Sequence, residues 1–290
     1  MKLSALATGV FLASALTGAA QVSVEVTLEQ DQFLPAEAIV AAVKITNRSG
    51  QTLQFGTDPD WLTFSIESGQ GSVALKTSEP PVAGEFTLES AKIATRRVDL
   101  APYFTLSKMG RYRIIATVRV KAWNQLITSA PKAFDIIQGA KLWSQEFGVP
   151  EGTNAVNGTP EARKYTLQQA NYLRTQPRLY FKLTDATETR VFKVFPIGNV
   201  VSFSHPETQL DKWSNLHLLW QDGARSFSYT VITPDGDLTV RQTYDTAETR
   251  PRLSLNQDNK MIVAGGTRRV TANDIPLPTS AKDDAKPPKL

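Results

Sequence analysis

The chain of 290 residues has no cysteine. A protein without cysteine can form no disulfide, no thiolate zinc site and no cysteine nucleophile, and it has no N-terminal cysteine to carry a lipid. Apolar residues make up 41% of the sequence and charged residues 21%, a balance typical of folded soluble proteins. A core of ordinary size is therefore available, and the fold needs no crosslink to hold it together.

Histidine is also scarce, with His205 and His217 as the two in the chain. They flank Asp211, but their spacing matches no zinc template, and His217 lies in the apolar run 216–220, where we expect a hydrogen-bonded core residue. The sequence contains no G-x-S-x-G elbow, no Walker loop and no dinucleotide fingerprint. These absences favour a protein with no catalytic residues, no cofactor and no metal. Carboxylates paired only in space leave no local pattern, so a glycan-active hydrolase stays open as an alternative.

The first twenty residues have the composition of an export signal. Lys2 precedes an apolar run at 3–16, and the small residues at 18–20 suit a signal peptidase, so we predict cleavage after Ala20. The run is short for a bilayer span and no later stretch reaches that length, so we expect no transmembrane segment in the mature chain. An exported protein without disulfides is more typical of a bacterial envelope than of an animal secretory route. We therefore expect it in the periplasm, at the cell surface or outside the cell.

The formal net charge is +4, and the basic residues are spread along the whole chain. A nucleic-acid-binding protein usually concentrates its positive charge on one face. We therefore expect no nucleic-acid partner.

Residues 21–137 follow the pattern of a β-sandwich. Apolar residues alternate with polar ones in four segments, 22–28, 39–45, 62–66 and 112–120. A period of two with one apolar face predicts strands that cover a core on one side and meet water on the other. Short strands at this spacing, separated by turn residues, predict two packed sheets.

Two segments of this region resemble known immunoglobulin-like domains. Tyr112 follows a turn at Gly110 and begins the strongest strand, which resembles the tyrosine corner, in which the hydroxyl bonds to upstream backbone. Residues 33–37 (Phe-Leu-Pro-Ala-Glu) and 47–50 (Asn-Arg-Ser-Gly) resemble the opening of bacterial Ig-like exported domains, including the BsuPI-type proteinase-inhibitor domain. The resemblance implies an Ig-like fold, and it raises proteinase inhibition through loop 77–86 as a further alternative.

Residues 138–277 contain a repeat in which Leu179, Leu216 and Leu253 are 37 residues apart. Each opens an apolar strand that is followed by a turn and a second strand, which predicts about three β-meander units. Units of this length resemble β-propeller blades, although a closed propeller needs at least four. A partial blade stack, a flattened barrel and a second sandwich all fit, and the period could also be a coincidence among hairpins. The tail, 278–290, is rich in Pro, Lys and Asp and is predicted to be disordered.

Aromatic and basic residues supply the candidate binding site. Tyr229 shares a strand face with Phe227 and Val231, which would make a stacking platform if exposed and ordinary core if buried. Trp213, just before a strand, is the aromatic residue that we most expect to be exposed. Another candidate is the basic face of strand 112–120, formed by Arg111, Arg113 and Arg119, which is either a docking stripe or an ordinary solvated face.

The sequence therefore predicts an all-β protein, an Ig-like β-sandwich (21–137) followed by a second antiparallel β-meander, blade-like domain (138–277). The whole chain resembles a bacterial exported family with this two-part build, and that resemblance supplies no activity. We expect a non-catalytic binding protein whose partner is a protein or polysaccharide of the cell envelope.

Overall fold

The structure is a computed structural model that describes residues 21–276 except 70, 72, 107, 150–160 and 174–175. The predicted signal segment (1–20) and the predicted tail (278–290) lie outside these residues. No α-helix occurs in the described part of the chain, which contains 21 strands and two one-turn 3-10 helices, Ala101–Tyr103 and Lys121–Trp123. Within the same residues, no helix is long and apolar enough to cross a membrane. The all-β fold class is therefore confirmed.

The first half, residues 21–137, contains ten strands in two main sheets. One sheet has the order β1-β3-β7; the other has the order β2-β10-β8-β5, with β9 paired to β8, and β4 and β6 form a small separate ladder. The strands are β1 (Val22–Leu28), β2 (Gln32–Phe33), β3 (Val40–Asn47), β4 (Leu53–Phe55), β5 (Leu62–Ser68), β6 (Phe86–Leu88), β7 (Ile93–Asp99), β8 (Gly110–Val120), β9 (Gln125–Thr128) and β10 (Lys132–Ile136).

The apolar residues of the predicted alternating pattern pack these two sheets together. Ala41, Val43 and Ile45 of β3 are fully buried, as are Ile114 and Val118 of β8, and the two sets belong to one apolar cluster. Burial of each valine or isoleucine side chain contributes roughly 1.5–3 kcal/mol. The cluster spans both sheets, so the sandwich prediction is confirmed.

The tyrosine corner is present. The hydroxyl of Tyr112 donates a hydrogen bond to the backbone carbonyl of Lys108 at 2.8 Å, and its ring stacks on Phe134 with the centroids 5.5 Å apart. The bond ties the loop before β8 to the start of the strand, as the resemblance implied.

The second half, residues 138–276, contains eleven strands in two meanders and one hairpin. The first sheet runs β11-β12-β13-β14, the second runs β15-β16-β17-β18-β21, and β19 pairs with β20 alone. The strands are β11 (Ala140–Gly148), β12 (Ala162–Tyr172), β13 (Gln176–Asp185), β14 (Val191–Asn199), β15 (Glu207–Leu210), β16 (Leu216–Gln221), β17 (Ser226–Ile232), β18 (Leu238–Asp245), β19 (Arg252–Leu255), β20 (Met261–Ala264) and β21 (Thr267–Arg269).

The 37-residue period marks three hairpins, β13–β14, β16–β17 and β19–β20. Leu179, Leu216 and Leu253 each lie in the first strand of one hairpin. The three units differ in size, however, since their sheets hold four, five and two strands. The two larger sheets share one core, in which Tyr165 and Phe181 meet Leu218 and Trp220. The 37-residue period therefore arises from two packed sheets and a hairpin that covers one of them.

The two halves meet at a small buried joint. Leu34 of the first half belongs to a cluster with Ala170, Tyr180 and Val194 of the second. Next to this cluster, a guanidinium nitrogen of Arg178 donates to the side-chain oxygen of Gln30 at 3.2 Å.

Glu37 is a buried carboxyl group at this joint, with 3% of its surface exposed. Its Oε2 accepts the backbone N–H of Leu34 at 2.7 Å, and its Oε1 accepts the side-chain amide of Gln30. Burial raises the pKa of Glu37 from 4.5 to about 7, although both hydrogen bonds and the charge of Arg178 act in the opposite direction. Ionised Glu37 is thus a destabilising charge at neutral pH.

The Glu37→Gln variant tests this assignment through the pH dependence of stability. Between pH 4.5 and 7 native Glu37 holds a proton that the unfolded chain has lost, so the stability of the wild type falls across this window and levels off above it. The fall amounts to about 3 kcal/mol. Urea unfolding from pH 4.5 to 8 should show that Glu37→Gln lacks this component, whereas the exposed control Glu29→Gln keeps it. Equal slopes for wild type and Glu37→Gln would contradict the assignment.

Candidate ligand-binding groove

A groove of about 840 Å³ opens between two loops of the second half. One wall is the loop 200–206, which joins β14 to β15, and the other is the segment 249–252, which leads into β19. Its volume lies in the range typical of small-molecule sites, about 300–1,000 Å³. We refer to this feature as the β15–β19 groove.

Phe203 stands at the edge of the groove with 98% of its surface exposed. Phe203 lies in a tight turn. The N–H of Val201 donates to the backbone carbonyl of Gln221 at 2.9 Å, and the N–H of Ser204 donates to the backbone carbonyl of Val201 at 3.1 Å. The backbone of Phe203 is left-handed, with φ of 64°. That conformation costs a bulky L-residue roughly 1–2 kcal/mol. Strain combined with an unburied aromatic ring is typical of a functional position.

The opposite wall carries two exposed arginines, Arg250 and Arg252. Neither forms an ion pair with a described residue. The guanidinium of Arg250 lies 4.9 Å from the ring centroid of buried Phe227, a contact that holds the guanidinium group without neutralising its charge. Neither charge is neutralised by a described carboxylate, so both are available to an anionic ligand.

Glu207 connects the two walls. It is the first residue of β15, directly after the Phe203 loop, and its Oε2 accepts the backbone N–H of Leu253 at 2.7 Å. It is also the one carboxylate in the described lining. The hydrogen bond fixes the position of the arginine segment relative to the aromatic loop.

Two consecutive glycines anchor the arginine wall from below. Gly265 and Gly266 have φ of 74° and 65°, and Gly266 donates its N–H to the carbonyl of Thr249 at 3.1 Å. A Cβ on Gly265 would lie 2.8 Å from the carbonyl oxygen of Arg250. The close approach of the two backbones therefore requires glycine here.

Trp213 is exposed, as predicted, with 60% of its surface in solvent and the ammonium of Lys212 5.2 Å from its ring. Its loop is organised by Asp211, whose Oδ1 accepts the backbone N–H groups of Trp213 and Asn215, each at 2.9 Å. Burial alone would raise the pKa of Asp211, but the hydrogen bonds from Asn215, Trp213 and His217 outweigh it and lower the pKa. Trp213 and Phe203 lie beyond opposite ends of β15, so Trp213 does not belong to the groove.

Tyr229 is part of the core and presents no ring face to a ligand. It is 7% exposed and packs with Phe227 and Val231 beneath the β19–β20 hairpin. Its hydroxyl lies 2.7 Å from Nδ1 of His217, and burial raises the pKa of Tyr229 to about 12. His217 is a hydrogen-bonded core residue, as predicted. Of the two alternatives for the face around Tyr229, the structure has the buried one. Among the described residues, no group of three His, Asp or Glu side chains could hold a metal.

The basic face of β8 lies in the first half and is balanced by acids. Arg119 forms an ion pair with Asp60 at 2.8 Å. Arg111 lies opposite Asp135 in the ladder with β10, and Arg113 lies opposite Glu67 in the ladder with β5. This arrangement is typical of a solvated strand face, and the structure does not bring these arginines to Trp213 or Tyr229.

The loop proposed for proteinase inhibition is held against the sandwich. Pro80 is buried, and the indole N–H of Trp61 donates to the carbonyl of Val82 at 3.0 Å. Most of its other residues are exposed, among them 77–79 and 83–85.

Sequence reasoning missed Phe203, Arg250 and Arg252. One signal pointed to Phe203, namely a single aromatic residue in the polar loop Ser202-Phe203-Ser204-His205-Pro206. Nothing local marked the two arginines, because their position depends on how the β19–β20 hairpin packs.

Comparison with known proteins adds little to this geometry. No protein-family model and no curated protein matches the chain. Among solved structures, the sporulation control protein Spo0M from Bacillus subtilis is similar, with 9% identity over 69% of this chain and 79% of that one. Its TM-score of 0.30 is too low to carry an argument about fold or function.

The Gly265→Ala variant tests the packing beneath the groove, with Gly50→Ala as a matched control. Both glycines are left-handed, with φ of 74° and 79°, but a Cβ on Gly50 meets nothing within 4 Å. Gly50→Ala should therefore lose about 1 kcal/mol of unfolding free energy from backbone strain alone. Gly265→Ala should lose about 1–3 kcal/mol more, because its Cβ would overlap the Arg250 carbonyl. Equal losses in urea unfolding would show that the two backbones do not touch.

Proposed function

We propose that this chain is a non-catalytic binding protein exported to a bacterial cell envelope, and that the β15–β19 groove is its ligand site. The observation that carries the proposal is Phe203, a fully exposed aromatic ring on a strained backbone, at the edge of a groove with two unpaired arginines. An aromatic ring left in solvent beside unpaired cations has a free face for stacking on a ligand. Export is supported by the composition of residues 1–20, and the partner is a protein or polysaccharide of the envelope.

Binding is favoured over catalysis by the titratable groups in the groove. The described lining holds one carboxylate, Glu207, one oxygen of which accepts the Leu253 amide, and hydrolysis of a glycosidic bond typically uses two carboxyl groups. His205 also lines the groove, and it makes no hydrogen bond to a described side chain that could orient it as a base. A general acid and a general base are therefore not assembled from these residues.

Affinity capture from an envelope extract of the source cell tests the proposal. Wild type and the matched control Arg48→Gln/Arg97→Gln, which neutralises two exposed arginines elsewhere, should recover one ligand or partner in near-equal amount. The groove variant Phe203→Ala/Arg250→Gln/Arg252→Gln should recover at least about tenfold less, because it loses the ring and both charges. The native protein from the same extract should begin at Gln21, as N-terminal sequencing would show.

Two results would contradict the proposal. Undiminished recovery with the groove variant would place the ligand elsewhere on the chain. Saturable turnover of a glycan or a peptide by the purified protein would replace a binding function with an enzymatic one.

A further inference from the structure

The ligand class of the β15–β19 groove can be argued from its side chains, an inference that rests on the proposed function. Phe203 offers one flat apolar face with no neighbouring apolar wall, since its surface is 98% exposed. Such a ring binds another flat or gently curved apolar surface by stacking, and it makes a poor pocket for an aliphatic side chain. The matching part of the ligand is therefore a ring face.

The charge of the groove selects an acid. Its described lining carries Arg250 and Arg252 against one carboxylate, Glu207, whose Oε2 is already bonded to Leu253. Guanidinium groups bind carboxylates through paired, charge-assisted hydrogen bonds. Phosphates are bound in the same way, so the charge of the groove selects an acidic group close to the ring of the ligand.

Hydroxyl groups complete the lining. Ser202, Ser204 and Thr249 all line the groove. Each hydroxyl can donate and accept a hydrogen bond, so a ligand that fills the groove has to supply partners for these groups. A ligand rich in hydroxyl groups can do so.

We propose that the groove binds an acidic glycan, with a uronic-acid ring stacked on Phe203 and its carboxylate paired with Arg250 and Arg252. A uronic acid combines the three required features, a ring with an apolar C–H face, a carboxylate and neighbouring hydroxyls. An acidic peptide supplies the carboxylate without the stacked ring and hydroxyls, and a neutral glycan supplies the ring without the charge.

Three probes of matched length separate these chemistries in a titration with purified protein, an oligogalacturonate, a neutral gluco-oligosaccharide and poly-L-glutamate. The oligogalacturonate should bind most tightly, and its affinity should fall as salt rises from 50 mM to 500 mM because exposed ion pairs are screened. Phe203→Ala should weaken it by about tenfold, and Arg250→Gln/Arg252→Gln by about tenfold or more. The charge-matched Arg48→Gln/Arg97→Gln should leave the affinity unchanged.

The outcomes distinguish this inference from the proposed function. Tighter binding of the gluco-oligosaccharide or poly-L-glutamate, lost in Phe203→Ala, would overturn the acidic glycan but keep the groove as the ligand site. Oligogalacturonate binding that is unaffected by both groove variants would overturn the groove itself. Absence of binding by all three probes would overturn the assignment of an acidic glycan as the ligand. The capture experiment would then test whether the groove is the ligand site. Thermal unfolding of each variant shows whether a lost affinity reflects a lost fold.

Discussion

The β19–β20 hairpin packs Leu253 and Val263 against Phe227, Tyr229 and Val231 on the outer face of the five-stranded sheet. This apolar contact shapes the β15–β19 groove. It closes an aromatic face that would otherwise be open, and it carries the segment 249–252 to the side of the Phe203 loop. An isolated two-stranded hairpin has little stability of its own in water, so β19–β20 has to pack against a sheet. The groove is a consequence of where it packs.

The same contact explains the sequence of β16. Leu216, Leu218 and Trp220 face the four-stranded sheet, while Leu219 lies under the hairpin, so both faces of this strand are covered. A strand buried on both faces reads as a continuous apolar run, and His217 is tolerated there because Tyr229 satisfies its Nδ1. Glu207 adds a polar link between β15 and β19, so the apolar contact and the hydrogen bond together set the width of the groove.

Much of the fold could be predicted because its signals are local. Alternation of period two located β1, β3, β5 and β8, and the turn before Tyr112 located the tyrosine corner. The site could be predicted only in part. The exposure of Trp213 followed from its place in a polar turn, but the burial of Tyr229 depends on a hairpin more than twenty residues further along the chain. The exposure of Phe203 depends on its left-handed backbone, which no pattern of residue types specifies. Likewise, the pairing of Arg119 with Asp60 joins two distant segments.

The central claim is that the two walls of the β15–β19 groove hold one ligand between them. Amide hydrogen exchange of the purified protein, with and without saturating amounts of the ligand recovered from the envelope, tests this claim most directly. We predict slower exchange in both 201–207 and 249–253, because the ligand covers both walls and restrains the Glu207–Leu253 link. Protection confined to the Arg111–Arg119 strand or to the Trp213 loop, with both groove segments unchanged, would contradict the account.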